Sequence, residues 1–375
     1  DGNRSLALYP YGLISRTDEP KTLGFFILHE GPLGVFDDTL QELSYDDLRD
    51  KRAETTESTG GWIGITDKYW LAALIPDQDI PMTGRFFYTN TNNREKFQVD
   101  YILAEKSLAP SGRIEVTNHL FAGAKVVTLL DQYESDLGIA RFDLAVDFGW
   151  FYFLTKPLFY LIHYLTGYLG NIGLAILSVT VIIKLVFFPL ANKSYAAMSK
   201  LKKLQPEMMK LREQLGDDKV RLNQEMMALY KKEGANPLAG CLPILIQIPV
   251  FFALYKVLFV TIEMRHAPFY GWIRDLSAPD PTSIFNLFGL LPYAPPEFLV
   301  IGFWPLAMGL TMWLQMKLNP TPPDPMQARI MMLLPIVFTF LFARFAAGLV
   351  IYWTWNNVLS ILQQWVIMRR MGVKA

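Results

Sequence analysis

The chain has 375 residues, of which 51% are hydrophobic and 19% are charged, with a mean hydropathy of +0.21. This composition excludes a disordered protein and is more apolar than that of an average soluble domain. The formal net charge is zero, but residues 1–150 hold 14 basic and 24 acidic side chains, whereas residues 151–375 hold 21 basic and 11 acidic ones. The single cysteine, Cys241, excludes an internal disulfide and a cysteine-rich zinc site.

Residues 1–149, the first predicted domain, carry short runs of alternating apolar and polar residues broken by Gly, Pro and Asn. The clearest alternation places Phe97, Val99, Tyr101 and Leu103 on one face of a strand. Further strands are predicted at 24–28, 62–66, 70–75, 85–91 and 114–120. Many short strands at this spacing predict an antiparallel β-sandwich. The charged stretch 41–57 is compatible with a linker or a surface helix.

The first half shows no pattern typical of a catalytic or metal site. His29 and His119 are isolated, and the acidic pairs at 37–38 and 46–47 lack the spacing of metal ligands. No phosphate-binding loop, GxGxxG or GxSxG motif occurs in the sequence. We therefore expect no catalytic residue, no metal, no cofactor and no ATP-driven activity.

Residues 150–169 are rich in aromatic side chains and precede the most apolar part of the chain. We predict an amphipathic helix lying in the outer membrane interface. A plain additional span stays open as the alternative, and it would reverse the orientation of everything that follows.

Five later segments have the length and composition of membrane spans. A bilayer core of about 30 Å needs about 20 mostly apolar residues in a helix. The predicted spans are 171–191, 240–260, 298–316, 329–345 and 348–368. Because only Ala346 and Ala347 separate the last two, we predict a tight turn between them.

The charge of the connecting segments predicts the orientation of these spans. Residues 192–233 contain ten Lys or Arg and six Asp or Glu, and the tail after the last span is basic. The connection 261–297 instead holds two basic and four acidic residues. Since positive segments stay in the cytoplasm, we expect 192–233 and the tail 371–375 inside, and 1–150 and 261–297 outside.

Lys184 is the candidate for chemistry, since it lies within the first predicted span. It follows Asn171 by 13 residues, roughly 20 Å along a helix. A charge at such depth costs about 2.5–3.5 kcal/mol unless water or a partner meets it, and no acidic residue lies inside a predicted span. The sharper hypothesis is a lysine facing a water-filled cavity; the alternative is a side chain that extends to the cytoplasmic face.

Other polar residues occur inside the predicted spans. Thr180 lies four residues before Lys184 and shares its helical face, and Gln247 lies between Pro243 and Pro249, which we expect to loosen the helix. Each of these polar residues can equally serve a hydrogen bond between helices. The others are Thr311, Gln315, Thr339, Asn356, Asn357 and Gln363.

Residues 192–233 predict two antiparallel helices broken at 216–218. Methionine and leucine recur at helical spacing in both arms, and Pro206 is expected to kink or restart the first arm. Methionine-rich arms suit adaptable contacts with a partner. Packing of the two arms on each other is the alternative.

Several stretches resemble the YidC/Oxa/Alb family of bacterial membrane insertases. They are GGWIGITDKYW at 60–70, QP at 205–206, LGDDK at 215–219, QEMMALY at 224–230, NPL at 236–238, GCLP at 240–243, QIP at 247–249, DPMQ at 324–327 and GLVIYW at 348–353. The resemblance implies a periplasmic β-sandwich at 1–149, an interfacial helix at 150–169, and a five-helix transmembrane core at 170–370 with a cytoplasmic hairpin at 192–233. The family also has a first transmembrane helix before the position of Asp1, so we expect the chain to be trimmed.

The resemblance also implies the position of a substrate groove. Lys184 stands where the family usually has arginine, which keeps the charge but loses the planar fork of a guanidinium. The candidate groove residues are Lys184, Thr180, Gln247, Leu245, Tyr352, Trp353 and Asn356. The candidate hairpin residues are Lys202, Lys203, Pro206, Met209, Asp217 and Asp218.

The expected function is insertion and folding of inner-membrane proteins through a hydrophilic groove, without nucleotide hydrolysis and without enzymatic turnover. Expected partners are nascent membrane proteins, the lipid bilayer, the ribosome, the Sec translocon and the signal recognition particle receptor, with no small-molecule substrate. The alternatives are a secondary transporter, although the spans show no repeat, or a membrane-anchored periplasmic binding protein.

Overall fold

The computed structural model describes residues 5–21, 28–216, 218–234, 242–293, 295–296, 300–319 and 325–372. The chain forms two compact units. The β unit comprises Asp1–Trp150 with Val260–Glu263, and the helical unit comprises Phe151–Phe259 with Met264–Ala375. Residues 24–27 of one predicted strand, hairpin residue Asp217, the start of the second predicted span at 240–241 and tail residues 373–375 lie outside the described residues.

The β unit is built from short strands joined by turns. Their bounds are β1 Leu6–Leu8, β2 Tyr11–Thr17, β3 Gly31–Phe36, β4 Thr39–Glu42, β5 Ala53–Thr59, β6 Trp62–Thr66, β7 Trp70–Ile75, β8 Pro81–Thr91, β9 Arg94–Leu103, β10 Lys106–Leu108 and β11 His119–Ala124. One sheet has the order β11-β7-β6-β3-β4, a second has the order β2-β9-β8-β5, and β1 pairs with β10. All of these pairings are antiparallel.

The core of the β unit lies between its two larger sheets. Strand β9 buries Phe97, Val99, Tyr101 and Leu103, as its alternation predicts, and these side chains join one cluster with residues of β3, β6 and β7. Phe36 of β3 meets Phe86 of β8 edge to face, with ring centroids 6.0 Å apart. The predicted antiparallel β-sandwich is therefore confirmed.

Two of the predicted local elements in the β unit are correct only over part of their length. The stretch 41–57 contains only a short helix, α1 at Tyr45–Lys51, between β4 and β5. Ser44 and Asp47 form a reciprocal capping box that starts this helix, and residues from 53 onward pair with β8 instead. Residues 113–118 form no regular element, and β11 begins only at His119. The strands predicted at 62–66 and 70–75 are confirmed at those bounds.

The helical unit follows the second helix of the β unit, α2 at Val127–Leu137. Its helices are α3 Tyr152–Leu169, α4 Ile172–Val186, α5 Phe188–Leu215, α6 Lys219–Lys232, α7 Leu242–Val260, α8 Phe303–Leu318, α9 Pro325–Phe342 and α10 Ala347–Arg370. Helix α10 packs against α4, α5 and α8, and α9 packs against α8. The region after the sandwich is therefore helical, as predicted.

The first predicted span, 171–191, is interrupted. Helix α4 ends at Val186, and α5 starts at Phe188 after a bend of 70°. Pro189 lies in the first turn of α5, where its missing amide hydrogen costs no hydrogen bond within the helix, so it favours the start of a new helix at this point. The first arm of the hairpin consequently begins at 188, not at 192.

The remaining helix bounds also differ from the predicted spans. Helix α8 begins at Phe303 rather than 298, and the turn between α9 and α10 spans residues 343–346 instead of Ala346 and Ala347. Pro206 does not restart the first hairpin arm, because α5 continues through it, and α7 likewise continues through Pro249.

The hairpin arms α5 and α6 pack on each other. Their shared core contains Leu201, Leu204, Met208 and Met226. Packing between the arms, one of the two readings left open by the sequence, therefore accounts for most of the apolar periodicity in this segment.

Judged by length and hydropathy, no single described helix is long and apolar enough to cross a bilayer. The bent pair α4 and α5 reaches that threshold when its two helices are taken together.

Candidate functional site

The helical unit contains a partly open cavity of about 390 Å³. Helices α4, α5, α7, α8, α9 and α10 supply its walls. Most of the lining is apolar, from residues such as Ile183, Val250 and Phe338. Among the described residues that line it, Lys184 is the single charged side chain. The cavity thus combines apolar walls with one positive charge and a few neutral polar groups.

Lys184 reaches the cavity from the last turn of α4. This helix begins where Asn171 caps it, since the Asn171 side chain accepts a hydrogen bond from the Leu174 amide at 3.1 Å. A cation in the last turn of a helix is favoured by the partial negative charge of the exposed carbonyls there. The Lys184 ammonium donates to the Ser360 hydroxyl at 2.7 Å. The amine therefore points towards α10 and the cavity.

Gln247 and Tyr352 form a second polar link across the cavity wall. The Gln247 amide on α7 donates to the Tyr352 hydroxyl on α10 at 2.7 Å. The Tyr352 side chain is otherwise buried, with 2% of its surface exposed. Because a half-buried amide and a buried phenol each need a partner, this bond fixes how α7 meets α10.

Trp353 and Asn356 line the same cavity from the next turns of α10. The Trp353 indole packs against the rings of Phe251 and Phe342, with centroids 4.6 Å and 5.1 Å away. The Asn356 side-chain oxygen is buried and accepts no hydrogen bond from the described residues. Both Tyr352 and Trp353 therefore reach the cavity.

The other two predicted groove residues lie elsewhere. The Thr180 hydroxyl is buried within α4 and donates to the Ile176 carbonyl at 2.8 Å. Leu245 is exposed on the outer surface of α7. Neither is among the residues that line the cavity. Thr180 shares a face with Lys184, but its hydroxyl bonds to the backbone of its own helix.

Sequence reasoning missed several polar residues of the lining. Tyr195, Asn319 and Ser360 border the cavity, and so do Gln315 and Asn357, which were noted only as polar residues within spans. Ser360 lies four residues after Asn356, and a search for polar residues at helical spacing on α10 finds it. Tyr195 and Asn319 lie outside the predicted spans, so no sequence pattern pointed to them.

Helix α10 carries further polar links to its neighbours. Asn357 donates to the Thr311 hydroxyl on α8 at 3.2 Å, and Gln364 donates to the side chain of Asn319, which follows the end of α8, at 3.0 Å. Gln363 donates to Asn192 on α5 at 3.0 Å. These bonds stabilise α10 at the centre of the unit.

Comparison with known proteins assigns the chain to a family. The family described as 60Kd inner membrane protein matches residues 164–374, and the YidC periplasmic domain family matches residues 1–161. The chain belongs to the YidC family. The family resemblance inferred from the motifs is therefore confirmed, and the chain is an inner membrane protein whose first part corresponds to the YidC periplasmic domain.

Curated relatives agree along the whole chain. The membrane protein insertase YidC of Brucella suis biovar 1 (strain 1330) is 57% identical over 377 residues, covering 100% of this chain and 62% of the relative. That of Rickettsia akari (strain Hartford) is 56% identical, covering 98% of this chain and 66% of the relative. The chain thus spans less than two thirds of the length of these relatives. A crystal structure titled "Active YidC insertase crystal structure with the first transmembrane domain resolved" aligns with a TM-score of 0.42 at 16% identity, covering 89% of this chain and 82% of that one.

The candidate hairpin residues of this YidC chain are distributed along α5 and at the start of α6. Lys203 donates to the Met371 carbonyl at 2.8 Å, which ties the hairpin to the end of α10. Met209 is exposed, and Asp218 caps α6 by accepting from the Arg221 amide at 3.0 Å. Lys202 is partly buried, and Pro206 lies inside α5.

The YidC periplasmic domain contains two clusters of ionisable side chains that no sequence motif indicates. Lys125 is buried, and its ammonium donates to the Thr66 hydroxyl at 2.7 Å. Burial lowers the pKa of Lys125 to about 8, against the opposing effect of carboxylates such as Asp147. Burial also lowers the pKa of His29, whose backbone amide donates to Asp147 at 3.1 Å.

The second cluster in the periplasmic domain consists of carboxylates. Side-chain oxygens of Asp131, Glu134 and Asp143 lie within 4.8 Å of one another. The Asp143 backbone amide donates to Glu134 at 2.9 Å, and the Arg141 guanidinium lies 3.6 Å from Asp143. An amide and a guanidinium of the protein itself therefore contact the carboxylates of this cluster.

Proposed function

We propose that the chain is a membrane protein insertase and that the cavity in the helical unit receives the hydrophilic part of an incoming polypeptide. The observation that carries this proposal is a charged amine, Lys184, lining a cavity with otherwise apolar or neutral walls. The printed names of its relatives, membrane protein insertase YidC, support the same function.

The side chains of the lining are suited to transient binding of a substrate rather than to tight binding of a ligand. The Lys184 ammonium has three donors, and Ser360 uses one of them. A carboxylate in the short external tail of a substrate can accept from the others, and such charge-assisted bonds contribute about 1.5–3 kcal/mol. The apolar walls form no strong polar contact with the tail, so the tail is released once its carboxylate leaves Lys184.

Two physical forces drive the proposed reaction without nucleotide. An acidic tail that moves outward gains about 2.3 kcal/mol per charge for each 100 mV of membrane potential. The apolar segment of the substrate then enters lipid along α4 and α10, with about 25 cal/mol for each Å² of apolar surface removed from water. No covalent step is required, so we propose that the protein performs no enzymatic turnover.

The proposed topology follows the distribution of charge. The β unit and residues 261–297 lie in the periplasm, and the hairpin 192–233 and the C-terminus lie in the cytoplasm. Within this topology α3 is the interfacial helix, whose outward face carries Phe153, Tyr164 and Tyr168. The large exposed apolar side chains of α9, including Ile336 and Phe340, then face lipid.

We propose that the hairpin guides the nascent chain towards the cavity. Its outer surface exposes Met209, Val220 and Met227 among basic side chains, which suits apolar substrates of varied sequence. The basic hairpin and tail also suit contacts with ribosomal RNA. The ribosome, the Sec translocon and the signal recognition particle receptor are accordingly the proposed partners.

The decisive experiment reconstitutes the full chain in vesicles and measures insertion of a single-span protein with a short translocated tail. The tail carries either one aspartate or the matching asparagine. We expect Lys184→Ala to lower insertion of the aspartate tail by roughly tenfold or more, since a lost charge-assisted hydrogen bond is worth about 1.5–3 kcal/mol. Insertion of the asparagine tail changes much less.

Two variants control for loss of charge in general. Lys184→Arg keeps the cation and should retain preference for the acidic tail. Lys317→Ala removes a lysine of α8 that lies over the Trp313 ring and does not line the cavity, so it should leave both substrates unaffected. Equal loss for both tails in Lys184→Ala would refute the assigned role of the amine, and uptake of small solutes without insertion would favour a transporter instead.

A further inference from the structure

The connection between α7 and α8 contains a compact loop, residues 284–293, whose side chains are apolar. We refer to it as the 284–293 loop. It contains two short turns of tight helix, and its sequence is Ile-Phe-Asn-Leu-Phe-Gly-Leu-Leu-Pro-Tyr. From 281 to 296 the sequence contains no acidic, basic or histidine residue. None of the residues of the loop lines the cavity described above.

The stem of the loop is fixed to the start of α8. Asp280 is buried, and its carboxylate accepts from the Trp304 amide at 2.9 Å and from the Trp272 indole at 3.1 Å. The Thr282 hydroxyl accepts from the Phe303 amide at 3.0 Å. These bonds satisfy two amides in the first turn of α8, which have no partner within the helix.

Gly302 permits this close approach, because a Cβ atom there would lie 2.5 Å from Asp280 Cγ. The Ile284 amide donates to the Ile301 carbonyl at 3.2 Å, so the two ends of the connection meet. The loop is therefore a rigid projection from α8 rather than a loose tether.

The backbone of the loop satisfies most of its amide hydrogens internally. The Phe288 amide donates to Ser283 at 2.7 Å, Leu291 to Asn286 at 3.0 Å, and Tyr293 to Leu291 at 2.9 Å. The Tyr293 hydroxyl donates to the Phe285 carbonyl. Loops that face water usually leave such groups to the solvent, whereas a hydrocarbon environment demands internal partners.

The side chains of the loop point outward. Leu290 is 82% exposed, and the other large apolar side chains that are exposed are Phe285, Leu287, Phe288, Leu291 and Tyr293. Leu287 and Phe288 have φ values of 50° and 57°, a conformation that bulky residues rarely adopt and that persists only where the surroundings impose it. The turn therefore adopts a strained backbone conformation in which its apolar side chains are exposed. Exposure of these side chains to water is unfavourable.

Aromatic side chains connect the loop with the first turn of α8. The Phe288 and Phe303 rings lie 6.4 Å apart, and the Trp272 and Phe303 rings 5.4 Å apart. Trp272 and Tyr293 carry a polar atom on an apolar ring, and such residues favour the boundary between headgroups and acyl chains. The loop therefore has an uncharged apolar tip next to an aromatic stem. This order matches that of one lipid leaflet, in which the acyl chains lie next to the headgroup boundary.

We propose that the 284–293 loop is a lipid anchor, with Leu287, Phe288, Leu290 and Leu291 entering the acyl region of one leaflet. In the proposed topology this is the periplasmic leaflet. The anchor fixes the outer end of α8, and it depends on the location of the helical unit in a membrane rather than on insertase activity. A protein partner would instead require the same side chains to stay in water whenever that partner is absent.

Site-directed spin labels in the full chain test this proposal. With Cys241 replaced by serine, single cysteines are introduced by Leu287→Cys and by Leu290→Cys and labelled with a nitroxide. The protein is reconstituted, at low protein-to-lipid ratio, in vesicles of phosphatidylethanolamine and phosphatidylglycerol. Collision rates with oxygen, which concentrates in lipid, are compared with those of a water-soluble nickel chelate. Both positions are exposed, so labelling leaves the packed core intact.

Two reference labels set the scale. Phe340→Cys places a label on the exposed face of α9, and Asn93→Cys places one in the turn between β8 and β9 of the β unit. We expect the loop labels to match position 340, with a ratio of oxygen to nickel collisions several-fold above that at position 93. Loop labels that match position 93 while position 340 reports lipid would overturn the anchor and leave membrane residence intact.

The remaining outcomes also decide the matter. Labels shielded from both reagents would show that protein covers the loop, and they would overturn the lipid assignment. If position 340 also reports water, the helical unit itself is not in the bilayer, and the proposed anchor and the proposed function fail at that earlier step.

Discussion

The Lys184 ammonium and the Ser360 hydroxyl lie 2.7 Å apart and join α4 to α10 at the cavity wall. Ser360 also donates to the Asn356 carbonyl at 2.8 Å. Its hydroxyl therefore accepts from the lysine while its own hydrogen is engaged by the backbone. This arrangement orients the amine without neutralising it, because a neutral hydroxyl cannot compensate a full charge.

Replacement of Ser360 by alanine tests this orientation. The charge stays in the cavity, but the amine loses its acceptor and samples more positions. We expect insertion of the aspartate-tailed substrate to fall by about fivefold, in line with about 1 kcal/mol for one hydrogen bond, which is less than for Lys184→Ala. The measurement is insertion into proteoliposomes, with folding checked by size-exclusion chromatography.

Thr354→Ala is the matched control for Ser360→Ala. Thr354 is another buried hydroxyl on α10 that donates to the carbonyl four residues earlier, at 2.8 Å, and it does not line the cavity. If both variants reduce insertion equally, loss of a helical hydroxyl and not orientation of Lys184 explains the effect.

The bond between Gln247 and Tyr352 predicts a non-additive pair of substitutions. Tyr352→Phe leaves the Gln247 amide without its acceptor, which we expect to lower the free energy of unfolding by about 1–3 kcal/mol. Gln247→Leu removes the amide and leaves only the phenol unpaired. The double variant removes both polar groups, so its loss should be smaller than the sum of the single losses. Thermal denaturation in detergent measures all four proteins.

Additive losses in this cycle would mean that the two side chains do not interact in the folded protein. Trp353→Phe gives a useful comparison, because it shortens a ring that packs against Phe251 and Phe342 without removing a buried hydrogen bond of this pair. The loss in free energy of unfolding caused by Trp353→Phe should be the same with and without Gln247→Leu.

The β-sandwich could be predicted because its signal is local. Strand β9 buries alternate residues from Phe97 to Leu103, so period-two reasoning found it directly. Strand β3 buries every residue from 31 to 36 and therefore shows no alternation. The prolines were read less well. Helix α4 ends shortly before Pro189, whereas α5 and α7 continue through Pro206 and Pro249, so a proline by itself does not show where a helix ends.

The site could be predicted only in part, because a cavity is a property of packing. Lys184 was identified from its sequence context alone, since a charge in an apolar run is costly wherever it lies. The spacing of polar residues on α10 can mark Ser360, but its contact with Lys184 follows only from the packing of α10 against α4. Thr180 shows the converse error, because a shared helical face with Lys184 did not bring its hydroxyl to the cavity.

Gly309 is expected to be required for the approach of α8 to α9. A Cβ atom at this position would lie 2.0 Å from the Thr339 hydroxyl oxygen, which is itself bonded to the Pro335 carbonyl at 2.7 Å. Gly309→Ala should therefore lower the free energy of unfolding by about 1–3 kcal/mol through overpacking. Thermal denaturation of the purified protein in detergent measures the loss.

A second substitution separates overpacking from helix propensity. Thr339→Ala removes the obstructing oxygen, so the double variant should recover part of the stability lost in Gly309→Ala. Gly167→Ala is the control, since a Cβ atom there meets nothing within 4 Å and alanine favours a helix by about 1 kcal/mol over glycine. Stability that is unchanged in Gly309→Ala would show that α8 and α9 are less closely packed than described.

Lys125 predicts a pH dependence of the β unit. Burial lowers its pKa in the folded protein to about 8, whereas an unfolded lysine titrates near its ordinary value of 10.5. Between these values the unfolded chain binds more protons, so this group makes the free energy of unfolding rise with pH. Below about pH 8 the amine is charged in both states and its burial remains fully unfavourable. The total rise is about 3 kcal/mol.

Lys125→Met should abolish this rise while keeping a side chain of similar length in the core. Its partner Thr66 retains other acceptors, because its hydroxyl also lies 3.1 Å from the Asp67 carbonyl and 3.2 Å from that of Trp70. The full chain is unfolded in urea at several values from about pH 7 to about pH 10.5, and unfolding of the β unit is detected by its cleavage with a protease. This gives one profile of stability against pH for the unchanged protein and one for the variant. We expect the variant to be the more stable protein at neutral pH and the difference to shrink as pH rises.

Lys96→Met, at an exposed lysine of β9, controls for loss of a positive charge from the same unit. Its profile should run parallel to that of the unchanged protein across the window, because an exposed amine makes little contribution to folding. Parallel profiles for Lys125→Met as well would mean that water or a carboxylate such as Asp147 stabilises the charged amine in the folded state, and that burial does not control its protonation.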